Sequence, residues 1–120
     1  MSVRKQYLET QRRLFDTEGI QPESKFVRTK GPVQEVHYLE LGSGQPLLLV
    51  HGGGSHASEW ISILKPLAEH FHLYVVDRPG HGLTGPFNYR KVDFRQSTVD
   101  FLSSFMNALG LSKSLFLANS

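Results

Sequence analysis

The chain has 120 residues, 39% of them hydrophobic and 20% charged, which suits one soluble domain and is too short for two. Thirteen Lys and Arg against 11 Asp and Glu leave a formal charge of +2, too weak a field to predict nucleic-acid binding. There is no cysteine for a disulfide, a thiolate nucleophile or a zinc site, and no apolar run approaches the roughly 18 residues of a membrane span, so we expect a cytoplasmic protein.

Residues 3–17 predict a short amphipathic helix that ends at Gly19, with Pro22 soon after. One side of its helical wheel is mainly apolar and carries Tyr7, Leu8, Gln11, Leu14 and Phe15. We expect this helix to dock on its own domain, although a dimer contact or a membrane-surface role is open. Residues 1–22 are therefore interpreted as a helix with its linker, and residues 23–120 as the domain that follows.

Residues 25–28 and 33–39 have extended patterns and are separated by Gly31-Pro32, which predicts an antiparallel hairpin. Residues 47–50 form an unbroken apolar run, which is what a strand buried on both faces requires. Residues 73–76 predict another strand, and residues 115–118 are a third short apolar run.

Two helices are predicted between these runs. The first contains Trp60, with Ser58 as its cap and Pro66 as a kink or a restart. The second begins at Asp93 and ends at Gly110. Its predicted buried face comprises Phe94, Thr98, Phe101, Leu102, Phe105, Met106 and Leu109.

Strand, helix, strand, helix, strand is the order of two successive βαβ units, which predicts parallel pairing and helices on both faces of the sheet. Ligand sites of such sheets lie at the carboxyl ends of the strands. Three unusual segments occur there: residues 51–54, 77–82 and 119–120.

Together these segments resemble the α/β-hydrolase family. The matching pieces are residues 47–54, the Trp60 helix, residues 76–82 and residues 115–120, within a resemblance that covers about residues 25 to 120. It implies an α/β fold with a mostly parallel sheet, helices on both faces and an antiparallel N-terminal hairpin. It also implies that these residues are the N-terminal half of a catalytic domain of roughly 200 to 250 residues.

The resemblance assigns Ser120 as the nucleophile. In the family's nucleophile elbow, G-x-S-x-G, a serine ends a strand on a strained turn that presents its hydroxyl to the site. Ala118 stands where the motif has its first glycine, and only the front half of the motif is visible. A serine here argues against the dehalogenase and epoxide hydrolase branches, which use an aspartate.

The resemblance also assigns a catalytic role to the glycine loop that follows the first buried strand. An oxyanion hole needs a backbone N–H aimed at the developing charge, and the N–H of Gly53 or Gly54 is the expected donor. His51 and Gly52 position the loop, and His51 is not the general base. His81 is expected to line the pocket.

The remaining polar residues are predicted to have structural roles. We expect Asp77 to bind local backbone N–H groups rather than to orient a catalytic histidine. Four histidines are expected to be solvated: His37, His56, His70 and His72. No histidine pair has the i, i+4 spacing of a zinc site, so no metal is predicted.

The function that follows is hydrolysis of a small ester, thioester, lactone or activated carbonyl through an acyl-enzyme, without a cofactor. The C–C bond of a diketone is a further candidate substrate. The triad acid and histidine would come from sequence after residue 120. The 120 residues alone are therefore expected to be inactive and to need the remainder of the protein or a complementary chain. Two alternatives stay open: a non-catalytic interaction module, and a triad of Ser120, Asp77 and either His51 or His81.

Overall fold

The structure, a computed structural model, describes residues 2–90 and 92–119. In chain order its elements are α1 (Val3–Thr17), β1 (Glu23–Arg28), β2 (Glu35–Gly42), β3 (Gln45–Val50), a 3-10 turn (Ala57–Trp60), α2 (Ile61–Ala68), β4 (Phe71–Val76), α3 (Phe94–Leu109) and β5 (Leu115–Ala118). Each predicted helix and strand is therefore present. Within the described ranges, no helix is long and apolar enough to cross a membrane.

The strands form one mixed sheet in the order β1-β2-β4-β3-β5. The antiparallel hairpin of β1 and β2 is confirmed, and β2 continues antiparallel onto β4, whereas β3 is parallel to both β4 and β5. The crossover through α2 leads from β3 to β4 on one side, and the crossover through α3 leads back to β5 on the other. Because both crossovers are right-handed by preference, they cover opposite faces of the sheet. The α/β fold class is confirmed.

Strand β3 shows how the sheet organises the core. Leu47 and Leu49 belong to the apolar cluster that includes Phe15 of α1 and Leu64 of α2. Leu48 and Val50, the alternate residues of β3, belong to a second apolar cluster. This cluster also contains Tyr74 of β4 and Phe101 and Phe105 of α3. The strand is therefore buried on both faces, as its unbroken apolar run predicts.

The caps of α3 form as predicted. The Asp93 side chain accepts a hydrogen bond from the Gln96 N–H, and Gly110 ends the helix at a positive φ of 75°. The docking of α1 also follows the prediction, because Phe15 lies in the core. The division of the chain between residues 22 and 23 stays a prediction.

Three local predictions are wrong. Ser58 is buried and accepts a hydrogen bond from Gln11 Nε2 at 2.8 Å, so it binds α1 and caps no helix. Phe94 lies at the first position of α3, where it is 56% exposed beneath the Arg78 guanidinium. Leu14 is 45% exposed, because α1 contacts the sheet over a narrower stripe than the wheel predicts.

Candidate active site

The carboxyl ends of three parallel strands meet at one edge of the sheet. Val50, the last residue of β3, is in register with Val76 of β4 and with Ala118 of β5. The segments that begin at His51 and at Asp77 therefore leave the sheet side by side. Asn119 follows on the other side of β3, where its N–H donates to the carbonyl of Val50 at 3.0 Å. The sheet therefore brings together residues 51–54, residues 77–82 and Asn119, the described residue of the third predicted segment.

His51 is completely buried and both of its ring nitrogens are engaged. Nε2 accepts a hydrogen bond from the Arg78 N–H at 2.9 Å, so the proton resides on Nδ1, which donates to the carbonyl of Gly52 at 2.7 Å. Burial lowers the pKa of His51. A neutral ring with neither nitrogen available is suited to hold the loop in place and unsuited to accept a proton from a nucleophile.

The glycine loop carries three successive N–H groups with different surroundings. The Gly52 N–H donates to Glu59 Oε1 and the Gly54 N–H donates to His81 Nε2, each at 3.0 Å. The Gly53 N–H has no hydrogen-bond partner among residues 2–90 and 92–119. It shares a peptide plane with the Gly52 carbonyl, which is held by His51, so its direction is set by that bond.

Backbone geometry explains why glycine suits this loop. The φ of Gly54 is +80°, a left-handed value that is costly for other residues. Gly53 and Gly54 are both exposed, and a Cβ added to either would meet nothing within 4 Å. The loop is therefore open to a ligand on this side.

His81 closes one end of the loop. Its Nε2 accepts from the Gly54 N–H, and its Nδ1 donates to the carbonyl of Pro79 at 2.8 Å. Its ring centroid lies 5.0 Å from that of His51 and 6.4 Å from that of Tyr89. It therefore lies at the same edge of the sheet as the glycine loop, beside the surface where a pocket is expected.

Glu59, on the 3-10 turn, joins the glycine loop to the end of β5. Oε1 accepts from the Gly52 N–H, and Oε2 accepts from Asn119 Nδ2 at 2.9 Å. Burial acts to raise the pKa of Glu59, but hydrogen bonds from Asn119, Gly52 and Ser55 outweigh it and lower the pKa. Sequence reasoning missed this residue, because one acid between Ser58 and Trp60 carries no signal that it binds a residue 60 positions away.

Asp77 is completely buried and binds backbone N–H groups as predicted, although only that of Leu83 is local in the sequence. Oδ1 accepts from Ala57 N–H at 2.7 Å and Oδ2 accepts from Leu83 N–H at 3.1 Å. Burial acts to raise its pKa, and the bonds from His37 and from these backbone groups overcome that effect and lower it. Asp77 is therefore an ionised anchor for the two loops at this edge.

Two of the histidine predictions are wrong. His37 is completely buried, because its ring lies between Ser24 and Phe26 of β1 and the carboxylate of Asp77. Its Nδ1 donates to Asp77 Oδ2 at 2.7 Å, and its Nε2 accepts from Ser24 Oγ at 2.5 Å. His72 is half-buried and binds Glu40. His56 and His70 are exposed.

Ser120, the predicted nucleophile, lies outside the described residues. Asn119, which precedes it, is described and lies in the position given above. Within residues 2–90 and 92–119, no group of three or more His, Asp or Glu side chains is arranged to hold a metal ion.

Several known proteins that are similar to this chain are hydrolases. The chain is 36% identical over 74 residues to a pimeloyl-(acyl-carrier protein) methyl ester esterase of Nitrosospira multiformis, an alignment that covers 60% of this chain and 28% of that protein. It is 40% identical over 63 residues to a 2-hydroxy-6-oxo-6-(2'-aminophenyl)hexa-2,4-dienoic acid hydrolase of Metapseudomonas resinovorans, with 50% and 21% of the two chains covered. The chain thus spans less than a third of the length of these curated relatives.

The fold is shared with solved hydrolases. The structure of the carboxylesterase CesB of Bacillus subtilis superposes with a TM-score of 0.80 at 19% sequence identity, covering 98% of this chain and 41% of that one. The model of the alpha/beta hydrolase family matches residues 47–118, which contain most of β3, all of β4 and β5, and the glycine loop and Asp77 segment of the candidate site. Because that match includes more than half of the sequence, the chain belongs to the alpha/beta hydrolase family.

Proposed function

We propose that the protein hydrolyses a small ester, thioester, lactone or activated carbonyl, with Ser120 as nucleophile and the Gly53 N–H as one donor of the oxyanion hole. The observation that carries the proposal is the Gly53 N–H itself. It is exposed, without a partner among the described residues, and lies at the sheet edge where β5 ends beside β3 and where Asn119 binds Val50. A preorganised N–H in that position suits the negative charge that develops on a carbonyl oxygen.

The surrounding contacts favour Gly53 over Gly54 as this donor. The Gly54 N–H already donates to His81 Nε2, and it would have to leave that bond to serve an oxyanion. The Gly53 N–H would give up no hydrogen bond to a described residue. In this proposal His51 and Gly52 hold the loop, and His81 lines the pocket beside Gly54.

The proposed reaction has two steps. Ser120 Oγ attacks the carbonyl carbon while its proton passes to a histidine supplied by sequence after residue 120, and the oxyanion forms against the Gly53 N–H. Collapse of the intermediate releases the alcohol or thiol, which takes that proton. Water then attacks the acyl-enzyme and releases the acid and free Ser120. The reaction requires no cofactor.

The substrate class is proposed from the relatives and is correspondingly broad. One relative is a methyl ester esterase of a pimeloyl-(acyl-carrier protein), and the other is a hydrolase of a 2-hydroxy-6-oxo-hexadienoic acid. An ester or thioester is the leading choice, and the C–C bond of a diketone is the second candidate. The partners proposed are this small-molecule substrate and the rest of the same protein or a complementary chain, packed on β5, and the proposed location is the cytoplasm.

Labelling with a fluorophosphonate tests the proposal. The protein encoded by the complete reading frame is treated with the probe, and the modified residue is mapped by mass spectrometry. We expect one adduct, on Ser120, that disappears in Ser120→Ala. Ser24→Ala is the matched control, because Ser24 Oγ also donates to a histidine that binds an aspartate.

Each other outcome contradicts the proposal in a defined way. An adduct on Ser24 would assign the reactive serine to the Ser24, His37 and Asp77 group. No adduct at all, or a reading frame that ends at residue 120, would favour the alternative that the chain is a non-catalytic interaction module or a fragment that needs a partner chain.

A further inference from the structure

Glu59 makes the contact that connects the two halves of the candidate site. One half is the glycine loop after β3, and the other is the segment after β5 that leads to residue 120. The carboxylate of Glu59 uses one oxygen for each half: Oε1 accepts from the Gly52 N–H at 3.0 Å, and Oε2 accepts from Asn119 Nδ2 at 2.9 Å. A single rigid group thus spans the space between the proposed oxyanion donor and the residue before the proposed nucleophile.

We propose that Glu59 is a positioning residue that sets the distance between the Gly53 N–H and Asn119, the residue before the proposed nucleophile. This inference rests on the proposed function, because it concerns the same site. Glu59 touches neither substrate nor reacting atoms in this proposal. It acts through the two groups to which it binds.

The backbone on both sides is already constrained, which gives the side-chain bridge its effect. The Gly52 carbonyl is held by His51, and the Asn119 N–H is held by the Val50 carbonyl. What these bonds leave undetermined is the separation of the glycine loop from the Asn119 side chain. The Glu59 carboxylate determines that separation, and rates of acyl transfer are sensitive to displacements of about 1 Å at the reacting atoms.

The charge of Glu59, as well as its position, stabilises the bridge between Gly52 and Asn119. Both donors are neutral N–H groups, and a carboxylate that accepts them forms charge-assisted bonds, which are stronger than bonds between neutral groups. These bonds contribute to the lowered pKa of Glu59, so the bridge is ionised at neutral pH. A neutral amide at position 59 retains the shape of the bridge and loses only the charge.

The amide chemistry of Asn119 permits a compensation test. In Glu59→Gln the Asn119 amide can turn over and accept where it formerly donated, so both bonds persist. In Asn119→Asp two carboxylates face each other and the bridge breaks. In the double variant Glu59→Gln with Asn119→Asp, the glutamine NH2 donates to the new carboxylate and the bridge is restored with its total charge unchanged. Glu59→Ala removes the bridge altogether.

The experiment measures two quantities in the full-length protein. The first is hydrogen exchange of the Gly52 amide by NMR, which is independent of activity. We expect exchange about tenfold faster in Glu59→Ala, corresponding to about 1.4 kcal/mol of lost protection. Glu69→Ala is the matched control, because Glu69 is an exposed acid at the end of α2. In this variant the Gly52 amide should exchange as fast as in the unmodified protein.

The second quantity is the hydrolysis of a p-nitrophenyl ester. We expect kcat to fall about 10- to 100-fold in Glu59→Ala and in Asn119→Asp, less than the 10²- to 10³-fold loss of a deleted oxyanion donor, with KM within about threefold. Glu59→Gln and the double variant should retain kcat within about threefold. A loss of kcat at nearly constant KM, in variants that remain fully folded, is what a merely stabilising role for Glu59 does not predict.

The outcomes separate this inference from the proposed function. Unchanged Gly52 exchange in Glu59→Ala overturns the bridge whatever the activity. Altered exchange with unchanged kcat, or a double variant as impaired as Asn119→Asp, overturns the positioning role. A full-length protein that neither hydrolyses the ester nor takes the fluorophosphonate overturns the proposed function, and the exchange measurement then still decides whether Glu59 holds the loop.

Discussion

His37 donates its Nδ1–H to Oδ2 of Asp77 across 2.7 Å, and both side chains are completely inaccessible to solvent. The pair lies between the middle strand of the antiparallel part of the sheet and the end of β4. Through Asp77 it reaches both loops that flank the candidate site, because the same carboxylate accepts from Ala57 and Leu83. The structure of the site edge therefore depends on one buried anion.

Asp77→Asn should destabilise the protein by about 3 kcal/mol, because the amide turns one accepting oxygen into a donor that faces other donors in a buried position. Urea unfolding measures this change. Asp100→Asn is the matched control, since Asp100 is an exposed acid on α3, and its free energy of unfolding should change by less than about 0.5 kcal/mol. Equal stability of the two variants would contradict the anchoring role of Asp77.

His51 should make stability depend on pH. Burial lowers its pKa in the folded protein, so the unfolded chain binds this proton at higher pH than the folded one does. The contribution of neutral His51 to the free energy of unfolding is therefore complete above about pH 6.5. It is lost as the pH falls through the pKa of His51 in the folded protein, with a slope of at most about 1.4 kcal/mol per pH unit.

Unfolding curves of the His51→Gln variant from pH 8 to pH 5 test this expectation. The free energy of unfolding should decline less steeply below about pH 6.5 in the variant than in the unmodified protein. His70→Gln is the control, because His70 is exposed and its replacement should leave the decline as it is. A His51→Gln curve parallel to that of the unmodified protein would show that another group titrates in this range.

Gly82→Ala should be strongly destabilising, by about 2 to 4 kcal/mol. The φ of Gly82 is +53°, and an added Cβ would overlap the buried carboxylate of Asp77, which has no room to withdraw. Gly53→Ala provides the contrast, because its Cβ would project into open space. Thermal melts should therefore separate the two glycines, and a Gly53→Ala variant that melts as early as Gly82→Ala would contradict the geometry of the loop.

The strand β5 should make the isolated segment of residues 1–120 self-associate. Leu115, Phe116 and Leu117 are 45%, 48% and 38% exposed at the sheet edge, where they offer both apolar surface and unpaired backbone groups. Light scattering of the purified segment should show oligomers, and Phe116→Glu should reduce them. Phe94→Glu is the matched control, since Phe94 is an exposed phenylalanine on α3. A monodisperse monomer would contradict the expectation.

Much of the fold is determined by patterns that are local in the sequence. The unbroken apolar run of β3, the Asp93 and Gly110 signals at the ends of α3, and the alternation of strands with helices each identify an element from neighbouring residues. Handedness then places α2 and α3 on opposite faces. The same local evidence placed the glycine loop and the Asp77 segment at one sheet edge.

Only the tertiary structure decided which polar groups meet there. The burial of His37 followed from its contacts with β1 and with Asp77, and the bridge from Glu59 to Asn119 joins residues 60 positions apart. The same holds for the choice of Gly53 over Gly54 as the proposed oxyanion donor, because it depends on where the ring of His81 lies. Residue types and spacing predict which groups can form hydrogen bonds. Their partners are determined by strand order and register, because these bring distant parts of the chain to within 3 Å of each other.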